Sequence, residues 1–206
     1  MSDRRYVFAL LPALLAAALA PGCNQGGEKP QPEETAPPQE EAAAPSGTAV
    51  AELAPLADSG VKGRVVFRQT EAGVVVEADV TGLAPGKHGF HIHEWGDCSA
   101  PDGKSAGGHF NPTGAPHGGP EADEAHAGDL GNLVADANGH ATLELTSTRI
   151  SLSPGPTDIR GRAVIVHAGE DDLTSQPTGA AGGRLACGVI MEEGGDTQPV
   201  LPPSQP

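Results

Sequence analysis

Short runs of apolar residues, some alternating with polar ones and separated by glycine and proline, recur through residues 60–192. The clearest runs, rich in β-branched residues, are 61–67, 74–80, 90–93, 133–134, 141–145, 162–167 and 185–190. Runs of this length with period-two alternation are typical of strands that bury one face. The pattern therefore predicts an all-β domain, built as an antiparallel barrel or sandwich.

The connections between these runs carry two further signals. Residues 136–139, Asp-Ala-Asn-Gly, predict a type I′ hairpin turn, because Asn-Gly accepts the positive φ angles that this turn requires. Residues 94–128 and 168–184 lack strand character, and loops of this length inside a compact domain are usually functional. Each long loop directly follows a candidate ligand histidine, His93 or His167.

The beginning of the chain has the layout of a secretory signal. Residues 1–22 contain two arginines and then an apolar run, 6–20, that is too short to span a membrane comfortably. The Ala-Pro-Gly-Cys end resembles a bacterial lipobox, which predicts an exported protein lipidated at Cys23. Asn24 after the cysteine favours the outer membrane, with the domain in the periplasm or cell envelope. The alternative is an ordinary secretory signal that happens to contain a cysteine.

Composition sets the predicted domain boundaries. Residues 23–59 are rich in Pro, Glu and Ala and contain no aromatic residue, so they predict a disordered tether. Residues 193–206, with four prolines, predict a disordered tail. The predicted folded domain is therefore 60–192.

Cysteine number and charge limit the compartment and the partners. Of the three cysteines, lipidation of Cys23 leaves Cys98 and Cys187, and an even pair in an exported protein predicts a disulfide rather than two free thiols. The formal net charge is −15, and residues 60–190, with nine basic and sixteen acidic residues, keep 9 − 16 = −7. This acidity argues against a nucleic-acid partner.

Most of the eight histidines have spacings that suit metal binding. His91 and His93 lie two apart on a predicted strand and so share one face, while Phe90 and Ile92 point into the core. The other candidates are His109, His117, His126, Asp129 and His167. A ring of imidazoles suits Cu(II), and three histidines with one carboxylate suit a closed zinc site.

Each candidate taken alone has a simpler explanation. A single His-x-His pair is a weak signal, an isolated loop histidine is often only solvated, and Asp129 could cap a turn. His140 follows the Asn-Gly turn and is predicted to be solvated. His88 lies just before the strand without a partner in the pattern, so neither histidine is predicted to bind metal.

The sequence around these residues resembles the copper/zinc superoxide dismutase family. The similar segments are 89–97, 107–112, 117–120, 126–132 and 183–190, in family order. They extend over the whole predicted domain. The resemblance implies an eight-stranded Greek-key antiparallel β-barrel or sandwich with two long functional loops.

The resemblance also implies a role for each site residue. Copper would be held by His91, His93, His109 and His167. Zinc would be held by His109, His117, His126 and Asp129, so that His109 bridges the two ions. Arg184 would lie beside copper, Asp171 would link His91 to His117, and Cys98 and Cys187 would form the family's disulfide.

The implied reaction is dismutation of superoxide to oxygen and hydrogen peroxide by Cu(II)/Cu(I) cycling, in which His109 takes up and returns a proton. One departure from the family is Pro177, which occupies a position where members often carry a lysine. Because Ser175 and Gln176 are also uncharged, weaker electrostatic steering of superoxide is predicted. Family members include monomers and dimers of more than one geometry, so a homodimer is also compatible with the sequence.

Three alternatives to this function are considered. The first is a non-catalytic copper/zinc storage or delivery lipoprotein, which the complete set of seven ligand positions and Arg184 disfavours. The second is a copper-only relative, disfavoured by His117, His126 and Asp129. The third is a zinc hydrolase, disfavoured because no general base is evident.

Overall fold

The computed structural model describes residues 47–204, and nearly all of its regular structure is β. The strands are β1 Thr48–Pro55, β2 Lys62–Thr70, β3 Gly73–Thr81, β4 Gly86–His93, β5 Asp129–Ala135, β6 Ala141–Ser147, β7 Ala163–His167, β8 Arg184–Val189 and β9 Met191–Glu192. One short 3-10 helix covers Lys104–Ala106. The all-β prediction is confirmed.

All strand pairs are antiparallel, and the order across the sheet is β5-β4-β7-β8-β1-β2-β3-β6, with the short β9 beside β1. The pairs β4–β7 and β3–β6 join strands that are not consecutive, as in a Greek key. The edge strands β5 and β6 are joined by a tight turn, so the sheet nearly closes into a barrel. Its core includes Phe67, Phe90, Ile92 and Leu133, all fully buried.

The turn between β5 and β6 differs from the prediction. The two strands form no ladder with each other, since β5 pairs with β4 and β6 pairs with β3. Gly139 has a φ of 78°, but Asn138 does not share the positive φ of a type I′ turn. The predicted hairpin is therefore wrong. The dipeptide signal is local, whereas the partner of each strand is decided by barrel topology.

The predicted start of the domain is also wrong. Strand β1 lies inside the predicted tether and pairs with β2, β8 and β9. It buries Ala49, Ala51 and Leu53. Because two of these inward residues are alanines, the alternation was too weak to outweigh a composition rich in Pro, Glu and Ala. The predicted signal 1–22, the predicted lipidation site Cys23 and the rest of the predicted tether up to residue 46 lie outside the described residues.

The described part of the tail is not the disordered segment that was predicted. The Val200 N–H donates to the Gly161 carbonyl at 2.6 Å, and the Gly96 N–H donates to the Val200 carbonyl at 2.7 Å. An extended proline-rich segment can satisfy loop backbone groups without forming a strand, and composition does not reveal this. Residues 205–206 lie outside the described chain. Within residues 47–204, no helix has the length and apolarity needed to cross a membrane.

Two long connections follow strands that carry candidate ligands. The segment 94–128, hereafter the first loop, joins β4 to β5, and the segment 168–183, hereafter the second loop, joins β7 to β8. A disulfide joins Cys98 in the first loop to Cys187 in β8, with 5.8 Å between the Cα atoms. This confirms the predicted pairing.

Candidate metal centre

Strands β4 and β7 position three of the candidate ligands. His91 and His93 alternate along β4 with Phe90 and Ile92, and all four side chains are buried, the two apolar ones in the hydrophobic core. Strand β7 is the neighbour of β4 and ends at His167. A register shift in the β7–β8 ladder at Val166/His167 opposes His167 to Arg184. Strand bulges of this kind re-aim side chains near functional sites.

The first loop returns to the end of β4 through backbone hydrogen bonds. The Phe110 N–H donates to the Ile92 carbonyl at 2.8 Å, and the Ile92 N–H donates to the Gly128 carbonyl at 2.9 Å. A Cβ at Gly128 would lie 2.2 Å from the Ile92 carbonyl oxygen, so only glycine fits there. These bonds bring His109 and Asp129 against the histidines of β4.

The predicted ligands form two buried groups that share His109. The first, hereafter the strand group, is His91, His93, His109 and His167, and the second, hereafter the loop group, is His109, His117, His126 and Asp129. Within each group the donor atoms lie within 4.8 Å of one another. His88 and His140 belong to neither group.

Hydrogen bonds determine which nitrogen each histidine presents to the strand group. His91 Nε2 lies 2.7 Å from Asp171, His93 Nδ1 lies 3.0 Å from the Gly107 carbonyl, and His167 Nδ1 lies 3.2 Å from the Gly182 carbonyl. The remaining nitrogens are therefore left for the group. His91 Nδ1 and His109 Nε2 are buried without a hydrogen-bond partner. Unpaired buried nitrogens are costly, and an ion held by four imidazoles, such as Cu(II), would satisfy them.

The loop group converges on one carboxylate. His109 Nδ1 lies 2.8 Å and His126 Nδ1 lies 3.3 Å from Asp129 Oδ1, while His117 Nδ1 lies 3.0 Å from Asp129 Oδ2. His117 Nδ1 is buried and makes no hydrogen bond in this position. Three imidazoles and one carboxylate in a closed, buried site are the donor set that a structural zinc prefers.

Burial favours the neutral, ligand form of four histidines, and hydrogen bonds favour the ionised form of Asp129. Burial lowers the pKa of His91 and His93, and it lowers the pKa of His109 to about 4 and of His167 to about 3. Burial alone would raise the pKa of Asp129, but hydrogen bonds from His109, His126 and the Gly118 N–H outweigh it and keep the carboxyl well below its ordinary value. Neutral imidazoles and an ionised carboxylate are the states that bind metal.

Asp171 connects the two groups from the second loop. Its carboxylate bonds to His91 Nε2 at 2.7 Å and to His117 Nε2 at 3.0 Å. Burial would raise the pKa of Asp171, but hydrogen bonds from His91, the Leu173 N–H and His117 lower it. Such a carboxylate orients imidazole ligands and sets their tautomer.

Arg184 lies next to the strand group. Its Nη1 donates to the Gly103 carbonyl and its Nη2 to the Gly107 carbonyl, each at 2.6 Å. The Gly107 carbonyl also lies 3.0 Å from His93 Nδ1, so one peptide group contacts both side chains. Burial lowers the pKa of Arg184, but a guanidinium remains charged at neutral pH.

Two residues at the site have contacts that the sequence did not reveal. His88 lies inside β4 rather than before it, and its ring nitrogens lie 2.8 Å from the carbonyls of His167 and Ala84. The Gln176 side chain accepts from the His117 N–H at 2.8 Å and donates to the His117 carbonyl at 2.9 Å. No local sequence signal distinguishes such a side chain from a solvated loop glutamine.

The fold and the site define a Greek-key β-barrel metalloprotein with two buried donor groups joined by a shared histidine. The profile of the copper/zinc superoxide dismutase (SODC) family matches residues 61–190. The chain therefore belongs to this family, and copper and zinc are the ions that fit its two donor groups. A solved structure described as the clock protein EA4 is also similar. It has a TM-score of 0.64 and 44% identity, over 71% of this chain and 94% of that chain.

Proposed function

We propose that this protein is an enzyme that converts superoxide to oxygen and hydrogen peroxide. In this proposal copper occupies the strand group and zinc occupies the loop group. The observation that carries the proposal is the position of His109. Its Nδ1 faces Asp129, while its Nε2 is buried without a partner beside His91, whose ring stacks on that of His109 at 3.9 Å. One imidazole can thus serve both ions.

His109 and Arg184 have distinct roles in the proposed reaction. Bound copper would supply one-electron exchange with superoxide, and bound zinc a fixed positive charge at His109 Nδ1. His109 Nε2 takes up a proton from water in the half-reaction that releases oxygen. In the other half-reaction it donates this proton to the reduced oxygen, and water supplies the second proton of hydrogen peroxide. Arg184 uses one N–H of each terminal nitrogen for the carbonyls of Gly103 and Gly107, and its other donors can bind the superoxide anion.

A non-catalytic role in copper and zinc storage or delivery is the second candidate. The similar solved structure, EA4, is named as a clock protein and not as a dismutase. Against this role, the chain keeps both donor groups and also positions Arg184 next to the strand group.

Activity and metal content, measured on the same preparation, test the proposal. We expect rapid superoxide dismutation at about one copper and one zinc per chain. Arg184→Met should retain both metals and lose activity by about tenfold, because the fixed cation for the anion is gone. A wild-type protein that holds both metals and is inactive would support storage or delivery instead.

We also propose that residues 1–22 direct export and that Cys23 anchors the protein to the outer membrane by a lipid. The Cys98–Cys187 disulfide supports an oxidising compartment and leaves Cys23 as the remaining cysteine. Radiolabelled palmitate should be incorporated into the full chain but not into Cys23→Ala. Equal labelling of both would exclude this anchor.

Sedimentation of the folded domain would show whether it forms a homodimer.

A further inference from the structure

Residues 117–122, hereafter the zinc turn, cover the loop group. The turn begins at His117, and the Gly118 N–H donates to Asp129 Oδ2 at 3.1 Å. The Ala122 N–H then closes the turn on the Gly119 carbonyl at 3.1 Å. The position of this backbone therefore determines where the His117 imidazole lies and whether the Gly118 N–H can reach the Asp129 carboxylate.

Arg149 holds the zinc turn from outside the ligand set. It lies just beyond the end of β6, and its side chain is partly buried. Nη1 donates to the Pro120 carbonyl at 2.8 Å, and Nη2 donates to the Ala122 carbonyl. Since β5 and β6 are the two edges of the sheet, this contact joins the turn to the edge opposite the one that carries Asp129.

The environment of Arg149 shows that its guanidinium is used for carbonyl binding. Arg149, Glu121, Asp123 and Asp129 all line a cavity of about 380 Å³ beside the turn. Within residues 47–204, Arg149 forms no ion pair. Both terminal nitrogens instead bind the backbone of one turn, a task that suits the planar fork of arginine.

We propose that Arg149 is a positioning residue of the loop group, which slows the escape of zinc by fixing the zinc turn. This inference rests on the proposed assignment of zinc to that group. Without the two hydrogen bonds from Arg149, the Pro120 and Ala122 carbonyls accept hydrogen bonds from water instead. The zinc turn then opens more often toward the cavity that Asp129 lines. His117 and the Gly118 N–H leave the group with each opening.

The test measures zinc release from the protein loaded with copper and zinc, using a chromogenic chelator in excess. Arg149→Met removes the fork and keeps the apolar stem, while Arg149→Lys keeps the charge but not the fork. Arg64→Met is the matched control, because Arg64 on β2 forms an exposed ion pair with Glu52 at 2.9 Å. We expect Arg149→Met to release zinc about tenfold faster than the wild type, Arg149→Lys to release it severalfold faster, and Arg64→Met to stay within about twofold.

Spectra of the two groups separate positioning from general destabilisation. Co(II) bound in place of zinc should show an altered visible spectrum in Arg149→Met, while the Cu(II) electron paramagnetic resonance spectrum of the strand group should match that of the wild type. The proposal is overturned if Arg149→Met releases zinc as slowly as the wild type, or if Arg64→Met accelerates release equally. If Arg149→Met does not fold, wild-type release kinetics in Arg149→Lys overturn it as well. A wild type that binds copper but no zinc would instead refute the zinc assignment.

Discussion

The two donor groups differ in their support as well as in the carboxylate that only the loop group contains. In the strand group, His91, His93 and His167 lie on β4 and β7, which pair with each other along four register positions. In the loop group, His117 and His126 come from the first loop, and Asp129 is only the first residue of β5. Three of the four residues of the strand group therefore lie on paired strands, whereas only Asp129 of the loop group does.

The loop group compensates with side chains that bind its backbone and rings. Gln176 binds both backbone groups of His117, Asp171 bonds to its Nε2, and Arg149 binds the following turn. We therefore expect zinc binding to depend on residues distant in sequence and copper binding to depend mainly on the sheet.

The largest expected effect follows from Gly179→Ala. A Cβ at Gly179, whose φ is 65°, would lie 1.8 Å from Asp171 Oδ1 and 2.6 Å from His117 Nε2. The carboxylate must move, so we expect zinc affinity to fall by about 100-fold and copper affinity by less, because β4 still holds His91. Competition with chelators measures both affinities.

Gly183→Ala is the matched control for this change. It lies in the same loop, has no positive φ, and a Cβ there would meet no atom within 4 Å. It should bind both metals as the wild type does. If Gly179→Ala lost copper and zinc to the same extent, the proposed difference between the two supports would be refuted.

Acid tests a property that the two groups share. Burial lowers the pKa of His109 to about 4 and of His167 to about 3, from an ordinary value of 6.5. Between pH 6.5 and pH 4 these two rings bind protons in the unfolded chain but not in the folded, metal-free chain. The free energy of unfolding is therefore highest above pH 6.5 and decreases as the pH drops toward 4. For His109 alone the loss at pH 5 is on the order of 2 kcal/mol.

Urea unfolding of the metal-free protein at pH 7.5 and pH 5 measures this loss. His109→Asn removes the shared titrating ring, so its stability should depend less on pH than that of the wild type. Equal stability of the wild type at the two pH values would contradict the prediction.

A smaller effect is expected from Gln176→Leu. The substitution keeps a side chain of similar size but removes both hydrogen bonds to the His117 backbone, so zinc should be released about fivefold faster while copper is retained. Gln176→Glu is the informative companion, because a carboxylate can still accept from the His117 N–H but cannot donate to its carbonyl. If both variants retained zinc like the wild type, Gln176 would be only a neighbour of the group.

The smallest effect concerns steering of the substrate. Ser175, Gln176 and Pro177 add no positive charge to the second loop, and the chain as a whole is acidic. We expect the dismutation rate to change by less than about twofold between about 10 and about 200 mM salt. Pro177→Lys, at the exposed position where family members often carry a lysine, should introduce a rate that falls with added salt. A steep fall in the wild type would reveal steering by cations elsewhere.

Several features of the fold were predictable from local pattern. Partial alternation predicted β2 and β4, and runs rich in β-branched residues predicted β3 and β7, because such residues fit a pleated, buried strand. The same periodicity placed His91 and His93 on one face of β4. The start of the domain was not predictable, because the buried alanines of β1 carry little hydrophobic signal.

In the candidate site, too, some features were predictable from the sequence and others were not. The sequence was enough to indicate which side chains can bind metal, since imidazole and carboxylate are chemical properties of the residues and the similar segments occur in family order. The folded chain was needed to show which atoms converge, which nitrogens remain unpaired, and that Gln176 and Arg149 hold the zinc turn. The physical reason is that these contacts join segments far apart along the chain, and folding brings them together through a Greek-key order that no local pattern encodes.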